Sequence, residues 1–95
     1  MNTPGTEILL EAHRLVNKDR QSSYGHPLDD YRSVCEIFNA LTGIELNPRD
    51  ALLFMVSVKL ARLRTNFDGG QLHYDSLVDA IGYLTCINMI HEVQK

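Results

Sequence analysis

Between Ala51 and Leu63 the chain reads ALLFMVSVKLARL, apolar on nearly every side of a helix and yet carrying Lys59 and Arg62. A helix that is apolar all round belongs inside a bundle, covered by neighbours on several faces. Cations placed there need partners, because an unpaired buried charge is too costly to keep. The acidic pair that follows is Asp75 and Asp79, one helical turn apart in DSLVDAIGY, beyond a loop centred on Gly69-Gly70. A K-x-x-R helix facing a D-x-x-x-D helix is therefore the expected centre of both fold and function.

Composition narrows the rest. Ninety-five residues support one hydrophobic core, so a single helical domain over 1–95 is expected. With 44% hydrophobic and 22% charged residues the chain is too apolar for disorder. Its net charge of −3 sets up no field that would attract nucleic acid or an anionic membrane, so neither is an expected partner. The longest apolar run, Leu52–Val58 with Ser57 inside it, is too short to cross a bilayer. The N-terminal stretch has acid and base within its apolar part, unlike a signal peptide. Cys35 and Cys86 lack metal-ligand spacing and fall on helix faces, which suits buried thiols in a reducing cytosol; a disulfide is the alternative.

Periodicity and capping signals predict four helices. Ile8, Leu9, Ala12, Leu15 and Val16 form an amphipathic stripe over about 6–18, with Thr6 as its N-cap. DRQSSYGHP, residues 19–27, is the first connection. It offers Arg20 to an anion and Tyr24 to a ring, or else forms a capped turn with Tyr24 packed on the bundle. Leu28, Tyr31, Val34, Cys35, Phe38 and Leu41 mark a second helix over about 28–42, closed by Gly43. Asp29 and Asp30 sit in its first turn, where the helix dipole favours acids. Asn47-Pro48 opens a third helix over about 48–65, and a fourth runs over about 75–93. Gly82 in its middle costs about 1 kcal/mol relative to alanine, so another backbone is expected close by. The fold class is all-α, an antiparallel four-helix bundle. The third and fourth helices carry more apolar surface than so short a bundle covers, which predicts a homo-oligomer.

The polar residues limit the chemistry. His13, His26, His73 and His91 have no H-x-x-x-H spacing, so no zinc site is expected. Neither a phosphate loop nor a dinucleotide glycine fingerprint is present. Ser22, Ser23 and the two cysteines lack an activating context, and no catalytic residue is assigned. Asp75 and Asp79 could hold Mg²⁺ with help from another helix, although Lys59 and Arg62 compete for the same oxygens. The remaining readings are a buried salt-bridge cluster that sets helix register, or a site that turns its cations toward a phosphate.

Asp19-Arg20…Tyr24-Gly25-x-Pro27, followed by Lys59-x-x-Arg62-Leu63…Asp75-Ser76-x-x-Asp79-x-x-Gly82-Tyr83, resembles a family of small phage and prophage proteins over nearly the whole chain. More distantly, the helical hairpin is similar to the all-α nucleoside triphosphate pyrophosphatases of the MazG and dUTPase type. Those bind Mg²⁺ through an E-x-x-E helix and an E-x-x-D helix. Here Lys59-x-x-Arg62 stands in place of E-x-x-E, and Asp75-x-x-x-Asp79 is one residue wider than E-x-x-D. The resemblance implies a MazG-like hairpin core, the cytosol of a bacterial host and a setting rich in nucleotides.

Three functions follow as expectations. In the first, the protein binds a nucleotide or nucleotide-derived phosphate ligand without hydrolysis and without a cofactor, as a sponge for a nucleotide immune signal would. Arg20, Lys59 and Arg62 neutralise phosphate, Tyr24 or Tyr83 stacks on a base, and Asp75 and Asp79 orient the cations or accept from ribose. The alternative is a divergent Mg²⁺-dependent pyrophosphohydrolase using Asp75 and Asp79 with Glu36 or Asp30. The third is a structural or interaction protein whose charge cluster only fixes packing. Binding is favoured over catalysis because cations stand where catalytic acids are needed.

Overall fold

The computed structural model describes residues 3–95, the side chains of residues 18–21 excepted. Thr3 opens the first helix: its Oγ1 accepts the Thr6 N–H at 3.2 Å and Pro4 takes the first helical position. α1 therefore spans Pro4–Arg14, starting ahead of the expected Thr6 cap. The reason is local, since Thr3-Pro4 is the same cap-then-proline signal as Asn47-Pro48.

Helical structure does not end with α1. Leu15–Arg20 form a π-helical turn and Gln21–Tyr24 a short helix, α2, so most of the expected open connection over 19–27 is coiled. Gly25, at φ 73°, then turns the chain into α3, Pro27–Thr42. Gly43 closes α3 in the left-handed conformation at φ 76°, its N–H donating to the Asn39 carbonyl.

α4 spans Pro48–Asp68, with Asn47 Oδ1 accepting the Asp50 N–H at 2.8 Å. It runs past the expected end near 65, and at that end Thr65 and Asn66 donate their side chains back to the carbonyls of Ala61 and Arg62. α5 covers Tyr74–Val93. His26 and His73 cap α3 and α5: each Nδ1 accepts a backbone N–H, from Leu28 at 3.0 Å and from Ser76 at 3.2 Å.

α5 is the hub, packing on α4 along its length and also touching α1, the π-helical turn and α3. The core gathers Leu28, Tyr31 and Cys35 from α3, Ala51, Leu52 and Val56 from α4, and Tyr83, Cys86 and Ile90 from α5. Both cysteines are buried free thiols. Burial, and secondarily the Asp50 carboxylate, push the Cys35 thiol above its ordinary range.

Two expectations need correction. α4 is not covered all round: Leu53, Phe54, Leu60 and Phe67 are exposed, because α3 and α5 together cover only part of its circumference. Nor does a backbone crowd Gly82. The nearest group to a Cβ built there is the Val16 side chain, at 3.5 Å, an ordinary contact. Gly82→Ala should therefore fit and recover helix propensity, raising stability by up to about 1 kcal/mol. Thermal unfolding of the variant checks this; a lowered midpoint would mean that something else approaches Gly82 in the assembled protein.

Candidate functional site

Lys59 on α4 and Asp79 on α5 meet across the helix pair, Nζ to Oδ2, at 3.0 Å. Their side chains are 13% and 25% exposed, so this pair is far better shielded than the surface pair Glu11–Arg14, at 39% and 49%. Exposed pairs contribute about 0–1 kcal/mol. A shielded one interacts more strongly but must offset the loss of hydration of both ions. Asp79 has a further interaction in addition to Lys59.

The expected four-charge cluster is not assembled. Arg62 and Asp75 are both exposed, and among the described residues neither forms an ion pair. The cause is helical phase. At that level Leu63 and Ser76, the next residue on each helix, take the buried positions, which turns Arg62 and Asp75 toward the rim. The hairpin thus offers one held cation, Lys59, and one open cation a turn further along, Arg62.

Ser76 is 1% exposed, and its Oγ has no hydrogen-bond partner among the described residues. A buried hydroxyl left unpaired costs about 1–3 kcal/mol. Ser76→Ala should accordingly stabilise the chain by about 1 kcal/mol, read as a higher urea midpoint. A loss of stability would reveal a partner for Oγ that the single chain does not supply.

The tyrosines separate. Tyr83 lies in the core, 7% exposed and packed among α3, α4 and α5. Tyr24 is 61% exposed and borders a small cavity of about 20 Å³ with Val16, Tyr31 and Cys86. Asp79, Tyr83 and Cys86 recur at i, i+4 and i+7 on one stripe of α5. Cys86, which borders the same cavity as Tyr24, therefore lies about 10 Å along α5 from Asp79. The side chain of Arg20 lies outside the described residues.

Among the described residues no group of three His, Cys, Asp or Glu side chains gathers to hold a metal. Sequence reasoning missed the capping work of His26 and His73, although each immediately precedes a helix start. It also missed a hollow of about 510 Å³ lined by Arg49, at the start of α4, and by Leu84, Asn88 and His91 of α5 with Gln94 just beyond it. Residues some forty positions apart leave no local signal of such a meeting. No described helix is long and apolar enough to cross a membrane.

These features describe an all-helical protein, without strands among the described residues, built around one shielded Lys–Asp pair. The chain belongs to the family described as a domain of unknown function, DUF6378, whose sequence profile matches residues 7–91. It is 33% identical over 85 residues to the Gene 55 protein of Mycobacterium phage D29, covering 90% of this chain and 54% of that protein. It is 30% identical over 77 residues to the Gene 55 protein of Mycobacterium phage L5, covering 80% of this chain and 47% of that one. The chain thus spans about half the length of these curated relatives, which are phage proteins, as the motif combination implies. No solved structure matches it.

Proposed function

We propose that the protein binds a nucleotide, or a phosphate-bearing derivative of one, and holds it without hydrolysis. The observation that carries this reading is the arrangement of cations on α4. Lys59 is pre-oriented by Asp79, and Arg62 stands open one turn away. A held ammonium beside a free guanidinium suits a phosphate, since the first is already ordered and the second offers a bidentate fork. Tyr24 supplies an exposed ring at the cavity bordered by Cys86, which lies about 10 Å along α5 from Asp79, the length scale of a mononucleotide. Asp75 is exposed at the Arg62 end of the hairpin, on the far side of the cations from Tyr24, and in this reading orients the guanidinium. Tyr83 serves from the core by supporting the stripe beneath.

A binder that does not turn its ligand over sequesters it, and in the cytosol of a phage-infected cell that makes a sponge for a nucleotide signal. The resemblance of the α4–α5 hairpin to MazG-type pyrophosphatases enters this reading only as a resemblance of motif spacing. The chain's own residues at the corresponding positions are cations, suited to charge neutralisation.

The test is a thermal-shift screen with linear, cyclic and ADP-ribose-type nucleotides, with and without Mg²⁺. A nucleotide at 100 times its dissociation constant stabilises the fold by about 2.7 kcal/mol. The expected result is a shift without Mg²⁺ and without product. Arg62→Glu should abolish that shift while leaving the unliganded midpoint within about 0.5 kcal/mol, as for other exposed substitutions. A shift that needs Mg²⁺ and is followed by pyrophosphate release would replace this reading with hydrolysis. Failure of every nucleotide to shift the midpoint would leave the Lys59–Asp79 pair as a packing device, a reading favoured by its shielding.

A further inference from the structure

The chain exposes 6535 Å², whereas a compact monomer of its 10.8 kDa mass exposes about 5,500 Å². Its radius of gyration, 14.7 Å, likewise exceeds the roughly 12.4 Å expected for 95 residues. The excess surface, roughly 1,000 Å², is slightly more than the ~800 Å² that each partner contributes to a standard stable interface.

That surface has a concentrated location. α3 and α4 diverge around a groove of about 650 Å³ lined by Val34, Phe38, Ile44, Leu53, Phe54 and Met55. Phe54 beside it is 66% exposed and Ile44 55%. The single charged residue lining the groove among those described, Asp50, is occupied locally: its N–H and its Oδ2 both bond to the Asn47 side chain. Among the described residues no cation lines the groove, which leaves it nothing there with which to select an acidic peptide or a phosphate backbone. Ser57, also on its wall, donates its hydroxyl to the Leu53 carbonyl at 3.0 Å, which leaves a small and satisfied surface for close helix approach. Leu53, Ser57 and Leu60 continue as one stripe along α4, at i, i+4 and i+7.

We infer that this face is covered by a second copy of the chain, in a two-fold contact that crosses the two α4 helices near Ser57. Projecting side chain and receiving groove lie on the same face of one molecule, which is the condition for an isologous contact in which each copy's Phe54 enters the other's groove. The missing burial matches one partner of this kind. The inference concerns assembly and does not rest on the ligand reading.

Sedimentation of the full chain at micromolar concentration should give twice the 10.8 kDa protomer mass, or a multiple built from that dimer. Phe54→Glu should sediment as a protomer with its helical circular dichroism retained. Ser57→Cys should be linked into dimers by a short bis-maleimide, while the parent protein, whose two thiols are buried, should not. A wild-type protomer at all concentrations would overturn the inference, as would Phe54→Glu at wild-type mass. If Phe54→Glu loses its helical signal, the Ser57→Cys linkage decides: linked dimers uphold this face, and their absence rejects it.

Discussion

Leu52→Ala should lower the free energy of unfolding by about 3–4 kcal/mol, within the 2–5 kcal/mol typical of buried leucines. Leu52 is the most enclosed apolar side chain, 0% exposed, in a cluster drawn from α3, α4 and α5. Truncation removes the burial of several methyl and methylene groups and leaves a void that three helices cannot close without moving. A 95-residue domain has only about 5–14 kcal/mol in all, so the loss is a large share of its stability. In urea the midpoint should fall with the slope unchanged. The neighbouring residue is the control. Leu53 is 44% exposed, and Leu53→Ala should cost less than about 1 kcal/mol in the protomer. A Leu53→Ala effect that grows with protein concentration would place that side chain in a contact between copies.

Lys59→Met should destabilise by about 2–3 kcal/mol, below the 3–5 kcal/mol of fully buried pairs because both partners retain some contact with water. The loss comes from leaving the Asp79 carboxylate without its ammonium in a shielded place. Adding Asp79→Leu should restore a substantial part of the stability, since a shielded ion pair can often be replaced by apolar groups of similar volume. Recovery should be incomplete, because Asp79 makes a further interaction. The double variant also separates the two roles of the pair. A folded double variant that no longer shifts with the nucleotides that shift the wild type assigns the pair to the ligand. A double variant as stable as the wild type, from a protein that no nucleotide shifts, assigns it to packing alone.

Much of the helical plan is legible in the chain because its signals are local. Asn47-Pro48 caps and starts α4 within a few residues, and Gly43 stops α3 through its own tolerance of a positive φ. The signal of α1 is equally local but begins earlier, at Thr3-Pro4. The short helix over Gln21–Tyr24 carries no comparable mark, since Ser22 and Ser23, followed by Gly25 and Pro27, read as a loop until packing holds them. The encounter of Lys59 with Asp79 was readable from charge alone, as two opposite ions on neighbouring apolar helices have few other partners.

The residue identities established that the chain is helical, where its α3 and α4 start and α3 stops, and that opposite ions on its last two helices would meet. They left open which arc of each helix would be covered. Successive residues on a helix differ by about 100° in direction. A rotation of α4 and α5 on each other by some tens of degrees therefore chooses whether Arg62 or Leu63, and Asp75 or Ser76, points inward. The fold settles that choice with Leu63 and Ser76 inside, Tyr83 in the core, Tyr24 on the surface and one face of α4 bare. Direction around a helix is local and follows from sequence spacing, whereas coverage depends on where distant segments come to rest.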